Sequence, residues 1–185
     1  MFLRDGYHGA SMDEITAVAA VSKPTVYRHY ADKGELFDAV VRTTMDRLDR
    51  SFHAEALALP TADEPYQPLY DVGRRVLTGL LEPEVLGLRR LVIGESSRFP
   101  ELGNAYWRHG FQKGLATLAN GLRQLADHGR LTVPDPLLAA GQFARMVLWV
   151  PVNQALLCGG ETVTPADVAR HVDSGVLTFL AAHGG

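Results

Sequence analysis

The sequence predicts an all-α fold, and three observations predict it. Apolar residues recur at three- and four-residue spacing along almost the whole chain, convincing two-residue alternation is absent, and helix-start signatures precede several apolar stripes. The 185 residues suffice for one or two compact units, the larger of them able to bury a real core. At 46% hydrophobic and 21% charged residues, the composition is that of an ordinary globular protein rather than a disordered one.

The elements follow in order. Ser11 stands before Met12-Asp13-Glu14-Ile15, so it reads as an N-cap with Glu14 completing a capping box. Ser22 is a second cap, with Pro24 early in its helix, where a missing N–H costs little. Asp32 is a third, with Glu35 three residues on, and the stripe Leu36, Val40, Met45, Leu48, Phe52 carries a long helix to about Leu57. The run Pro60-Thr61-Ala62-Asp63-Glu64-Pro65 reads as a loop. Leu69, Val72, Val76 and Leu80 then mark one helix ending near Pro83, and Val85, Leu88 and Val92 mark another ending by Pro100. Trp107, Phe111, Leu115, Leu118, Leu122 and Leu125 form one long stripe that closes at Gly129. Residues 137–157 are apolar on nearly every face until Gly159-Gly160, with Pro151 expected to kink or locally unwind the helix. Val168, Val172, Val176, Phe179 and Leu180 define a final amphipathic helix, within 165–182.

The N-terminal third carries the functional signal. Two short capped helices separated by little more than Ala20-Val21 have the spacing of a helix-turn-helix. The second of them reads Ser22-Lys23-Pro24-Thr25-Val26-Tyr27-Arg28-His29-Tyr30. It presents Lys23, Thr25, Tyr27, Arg28 and His29, side chains that reach phosphates and base edges in a major groove. Val21 and Val26 are expected to hold this helix on its core. The net charge of −3 gives no global sign of a polyanionic partner, and residues 1–50 hold seven Lys and Arg against eight Asp and Glu. Residues 22–33, however, hold Lys23, Arg28 and Lys33 against Asp32 alone. Charge and spacing by themselves fit a DNA contact or a solvated helix face equally well.

The residue identities go further. Gly6-Tyr7, Ser11 to Ile15, Val21 to Tyr30 and Asp32-Lys33-Gly34-Glu35-Leu36-Phe37 closely resemble the TetR (tetracycline-repressor) family, in order and spacing as well as in identity. Arg90 to Glu95 followed by Arg98-Phe99-Pro100-Glu101-Leu102 is similar to the AefR-like C-terminal subgroup. The resemblance implies three DNA-binding helices, a connecting fourth, and a body for ligand binding and dimerisation. That places the DNA-binding domain in 1–44 and the body in 45–185. It makes Thr25 and Tyr27 groove-facing, brings Tyr27, His29 and Lys33 to phosphates, and makes Ser11 and Ser22 caps whose helix ends face the DNA backbone. Lys23 and Arg28 occupy positions that vary in the family and are the candidates for operator choice. Two departures stand out. Ala20 replaces a frequent glycine, and alanine tolerates positive φ poorly. Only Met1 to Asp5 precede Gly6, so the first helix is expected to be truncated.

In the body, the aromatic stripe reads first as core. The resemblance nevertheless implies a ligand cavity, for which Trp107, Phe111, Phe143, Met146 and Trp149 are the candidate lining. The all-round apolar helix 137–157 needs cover on two sides, which a second copy of the chain would provide together with 165–182. The expected partners are therefore double-stranded operator DNA, a small apolar or amphipathic molecule, and a second protomer.

Other classes lack support in the sequence. The longest apolar run, Met146–Val152, is far below the ~20 residues of a membrane span, and Arg4 and Asp5 interrupt any secretory signal. Cys158, the one cysteine, excludes an internal disulfide, suits the reducing cytoplasm and reads as a small buried hydrophobe. Seven scattered histidines form no metal motif; Asp167 and His171, four residues apart, are a weak pair. No nucleophile elbow or phosphate loop is present, so no cofactor, metal or catalytic residue is expected. The alternatives kept open are a small-molecule-binding helical protein with an inactive DNA domain and, more remotely, a helical metalloenzyme.

Overall fold

The computed structural model describes residues 1–58, 64–158 and 163–184, with side chains described outside 51–58. Phe52 and Leu57 of the long stripe, loop residues 59–63 and the Gly159-Gly160 break lie outside the described side chains or residues. The fold is all-α. In chain order the helices are α1 (Phe2–Gly9), α2 (Met12–Val18), α3 (Lys23–His29), α4 (Lys33–Ala58), α5 (Tyr66–Leu80), α6 (Pro83–Glu95) and α7 (Pro100–Tyr106). A π-helical turn at Trp107–Gln112 leads into α8 (Lys113–Asp127), followed by α9 (Pro136–Cys158) and α10 (Pro165–His183).

Two hydrophobic clusters organise the chain. The first joins the N-terminal helices to α6 and α7: Phe2, Tyr7, Phe37, Val41 and Met45 pack with Val85, Leu88, Val92, Leu102 and Tyr106. Phe2 and Tyr7 both set their rings edge-on to Phe37, at 5.2 and 5.5 Å between centroids. α1 is short and interrupted, because Gly6 takes φ 73°, ψ 171°, a conformation that only glycine adopts without strain. The second cluster fills the body with Leu69, Val72 and Leu77 of α5, Leu118, Leu122 and Leu125 of α8, Phe143 and Val147 of α9, and Val172 and Phe179 of α10.

Helix boundaries have local causes. α8 ends as expected at Gly129, whose φ of 70° closes a Schellman motif: Arg130 N–H donates to the Leu125 carbonyl and Gly129 N–H to that of Ala126, both at 2.9 Å. α10 starts at a reciprocal capping box between Thr164 and Asp167. Arg90 donates to the carbonyls of Ala155 and Leu156, satisfying acceptors that the last turn of α9 leaves open.

Several expectations need correction. The aromatic start of the stripe is not buried core. The π-helical turn inserts a residue's worth of rotation, so Tyr106 is buried while Trp107 and Phe111 are exposed. α9 does not unwind at Pro151 but runs through it to Cys158, with Pro151 itself buried. Cys158 is exposed on the outward side of that last turn, not buried. Val21 is 43% exposed rather than packed, because the turn before α3 points its side chain to solvent. Val26 is half-buried.

Candidate nucleic-acid interface and ligand cavity

The helix-turn-helix is built from local chemistry. Ser11 Oγ accepts the Glu14 N–H at 3.1 Å, and Ser22 Oγ accepts the Thr25 N–H at 3.3 Å, so both serines cap their helices. Asp32 caps α4 through the Glu35 N–H at 2.9 Å, while Glu35 Oε2 reaches back to the Ala31 N–H, one residue earlier than a capping box requires. Between α2 and α3 the chain turns at Ala20, which has φ 54°. Among the described residues it is the one non-glycine in the left-handed region. The turn therefore keeps the backbone of a glycine turn and accepts the strain of a Cβ.

α3 lies open to solvent, with no buried residue. Tyr27, Arg28 and His29 are exposed on it. Thr25 shares a hydroxyl–hydroxyl hydrogen bond of 2.7 Å with Ser22. Two of the candidate cations are already engaged. Lys23 Nζ stands 2.8 Å from Asp13 on α2, and this carboxylate holds the ammonium above its ordinary pKa. Lys33 Nζ donates to the carbonyls of His8 and Ala10 and lies 4.7 Å from the centroid of the Tyr7 ring. It thus closes the C-terminal end of α1 with two of the three donors of its ammonium. The Asp13 tether was not legible, because it depends on the angle between α2 and α3.

α4 carries the DNA-binding unit into the body, where polar ties anchor it. Asp38 meets Arg108 at 2.7 Å and His109 Nε2 at 3.2 Å. Asp46 and Asp49 meet Lys113 at 2.6 and 3.3 Å, and Arg47 meets Glu84 at 2.6 Å. Those partners sit on the π-helical turn, at the start of α8 and at the start of α6.

Between α4, α5, α8, α9 and the π-helical turn lies a cavity of about 370 Å³, within the ~300–1,000 Å³ range of small-molecule sites. α4 contributes Met45, Leu48 and Asp49 to its wall. Trp107, Phe111, Phe143 and Trp149 face it, with Trp107 and Phe111 stacked at 5.3 Å. Met146 does not belong to the lining: on α9 it falls between the inward Phe143 and Val147 rows and the solvent, and is exposed. Sequence reasoning missed Tyr106, and it favoured a solvated or salt-bridged face for Arg89 over a ligand anchor. Arg89 lies 5.4 Å from the Phe111 ring centroid, and both it and Tyr106 line the cavity. The π-helical turn, which no apolar period reveals, brings Tyr106 there. Asp167, half of the weak metal pair, is spent on capping α10 and on Arg170.

Residues 1–40 match the family described as bacterial regulatory proteins, tetR family, and residues 67–185 match the AefR-like transcriptional repressor C-terminal domain. The chain belongs to the TetR family. It is accordingly a DNA-binding transcription regulator and not an enzyme. The crystal structure of a TetR-family regulator from Mesorhizobium loti is similar over all of this chain and 91% of its own, with 37% identity and a TM-score of 0.92. A structure of the flavonoid-responsive regulator FrrA is 25% identical, with a TM-score of 0.79, over 99% of this chain and 91% of that one. The transcriptional activator FasR of Mycolicibacterium smegmatis is 48% identical over 48 residues, a stretch that is 26% of this chain and 22% of FasR. No described helix is long and apolar enough to cross a membrane.

Proposed function

We propose that this TetR-family chain is a ligand-responsive repressor. As a homodimer it binds a palindromic operator, and it releases the operator when a small apolar or amphipathic molecule enters the cavity. One observation carries the reading: α4 begins beside the recognition helix and, further along, forms a wall of the cavity. A molecule that fits one placement of α4 better than another shifts the separation of two recognition helices. The flavonoid response in FrrA's name and the repressor in the description of the C-terminal match point the same way.

The dimer reading rests on α9 and α10. Leu138, Trp149, Val150 and Leu157 of α9 and Leu177 of α10 are exposed large apolar side chains, Trp149 at 64% and Leu157 at 85%. Large apolar side chains left exposed on two packed helices fit an interface with a second copy. On operator DNA, Ser11, Ser22, Tyr27, His29 and Lys33 serve the backbone, while Lys23, Thr25 and Arg28 serve base choice.

Selection of binding sites from random DNA tests this function. Two recognition helices related by a two-fold read half-sites about one turn, roughly 34–36 Å or a little more, apart. The expected outcome is a dyad-symmetric site. His29→Ala should weaken binding to every sequence and flatten its salt dependence, whereas Arg28→Ala should change the preferred bases. Selected sites without dyad symmetry would overturn the two-fold reading.

A further inference from the structure

The polar groups facing the cavity are unevenly satisfied. Asp49, the carboxylate in the lining, already accepts from Lys113 at 3.3 Å and from the Thr117 hydroxyl at 3.2 Å. His109 is bonded to Asp38. The donors left over are of one kind. Tyr106 is only 5% exposed, and among the described residues its hydroxyl has no hydrogen-bond partner. Arg89 is half-buried and held over the face of Phe111, which leaves its in-plane N–H donors unused, and no described carboxylate reaches it. Exposed Arg145 adds a second guanidinium to the lining without a described partner. Burial pushes the Tyr106 phenol up, the charge of Arg89 draws it part of the way down, and both residues line the same cavity. Buried donors without acceptors are costly, and a guanidinium in apolar surroundings selects a carboxylate.

We infer that the cavity takes an amphipathic monoanion, an apolar body bearing one carboxylate, whose oxygens accept from Arg89 and from the Tyr106 hydroxyl. The inference rests on the cavity being the sensing site. The volume suits a compact molecule rather than a bulky conjugate. Asn153, also in the lining, donates to the Trp149 carbonyl; the ligand carboxylate supplies acceptors for Arg89 and Tyr106, and the aromatic and aliphatic walls take the body.

Three probes with one chain and different heads test it: decanoate, 1-decanol and decylammonium. Binding to the full-length protein is read from the fluorescence of Trp107 and Trp149, both in the cavity wall. Decanoate should bind at least about tenfold more tightly than decanol, since one charge-assisted hydrogen bond suffices for that factor. Decylammonium should bind weakest. Arg89→Met should bring decanoate close to decanol, Arg89→Lys should lie between, and Tyr106→Phe should cost decanoate part of its advantage. Should Arg89→Met fail to fold, Arg89→Lys and Tyr106→Phe carry the same comparison. Equal binding of acid and alcohol, or an acid preference that survives these substitutions, would overturn the anion site and leave the apolar sensing cavity standing. If none of the three probes alters fluorescence or melting temperature, both readings fall.

Discussion

Ala20 sits at φ 54°, on the exposed turn that sets α3 against α2. An L-residue in that region costs about 1–2 kcal/mol, and glycine returns part of the gain as unfolded-chain entropy. Ala20→Gly should therefore raise stability by up to about 1 kcal/mol, seen as a higher urea midpoint at unchanged slope. A lower midpoint would show that the turn does not take this backbone. Asp13 bears on function at the same scale. Its carboxylate holds Lys23, so under the proposed DNA contact it would compete with phosphate and add negative charge beside that face. Asp13→Asn should strengthen DNA binding several-fold and steepen its salt dependence, measured by titration at three salt concentrations. Unchanged affinity would mean that the tether costs the complex nothing. Residue roles set by immediate neighbours were legible in the sequence: Ser11, Ser22 and Asp32 cap helices where their spacing places them. Roles set by other helices were not, which is why the tethers on Lys23 and Lys33 were missed.

Among the elements, α10 packs closely on α9 at Gly175. A Cβ there would lie 2.7 Å from Val147 Cγ2 and 3.3 Å from the α9 backbone. Gly175→Ala should cost about 1–3 kcal/mol despite alanine's better helix propensity, because the obstacle includes backbone. Thermal melts check this, and a stabilised variant would contradict the close packing. The tie between α4 and α8 has a pH signature. The hydrogen bond from Lys113, and then its charge, hold the Asp46 carboxyl below its ordinary range. A depressed carboxylate stabilises above its unfolded-state value, about 4, and the contribution is lost as pH falls through the folded-state value. Asp46→Asn should thus melt slightly below wild type at neutral pH, by less than about 1 kcal/mol for so exposed a pair. The difference should close below about pH 4, and a gap that widens in acid would refute the assignment. Apolar spacing revealed nearly every helix but not the π-helical turn at Trp107–Gln112. Such a turn changes rotation without changing composition, so Trp107 read as core and Tyr106 was passed over. Pro151 did not unwind α9, which runs through it to Cys158 with the proline itself buried.

For the whole molecule, α4 is the spine. α4 is packed with α1 and the α6–α7 region at its start and forms a cavity wall further along, and salt bridges tie it to the π-helical turn and α8. A tenfold change in operator affinity asks for only about 1.4 kcal/mol of coupling. The central claim is that filling the cavity lowers operator affinity, and it can be tested without knowing the ligand. Gly114 and Gly141 both line the cavity, and a Cβ at either meets nothing within 4 Å. Gly114→Phe and Gly141→Phe therefore place a ring in the space that a ligand would take, far from α3. The decisive measurement is the affinity of these two variants for the selected dyad-symmetric site, beside the wild type. A loss of about tenfold or more is expected in folded, dimeric variants; wild-type affinity in both would contradict the proposed coupling.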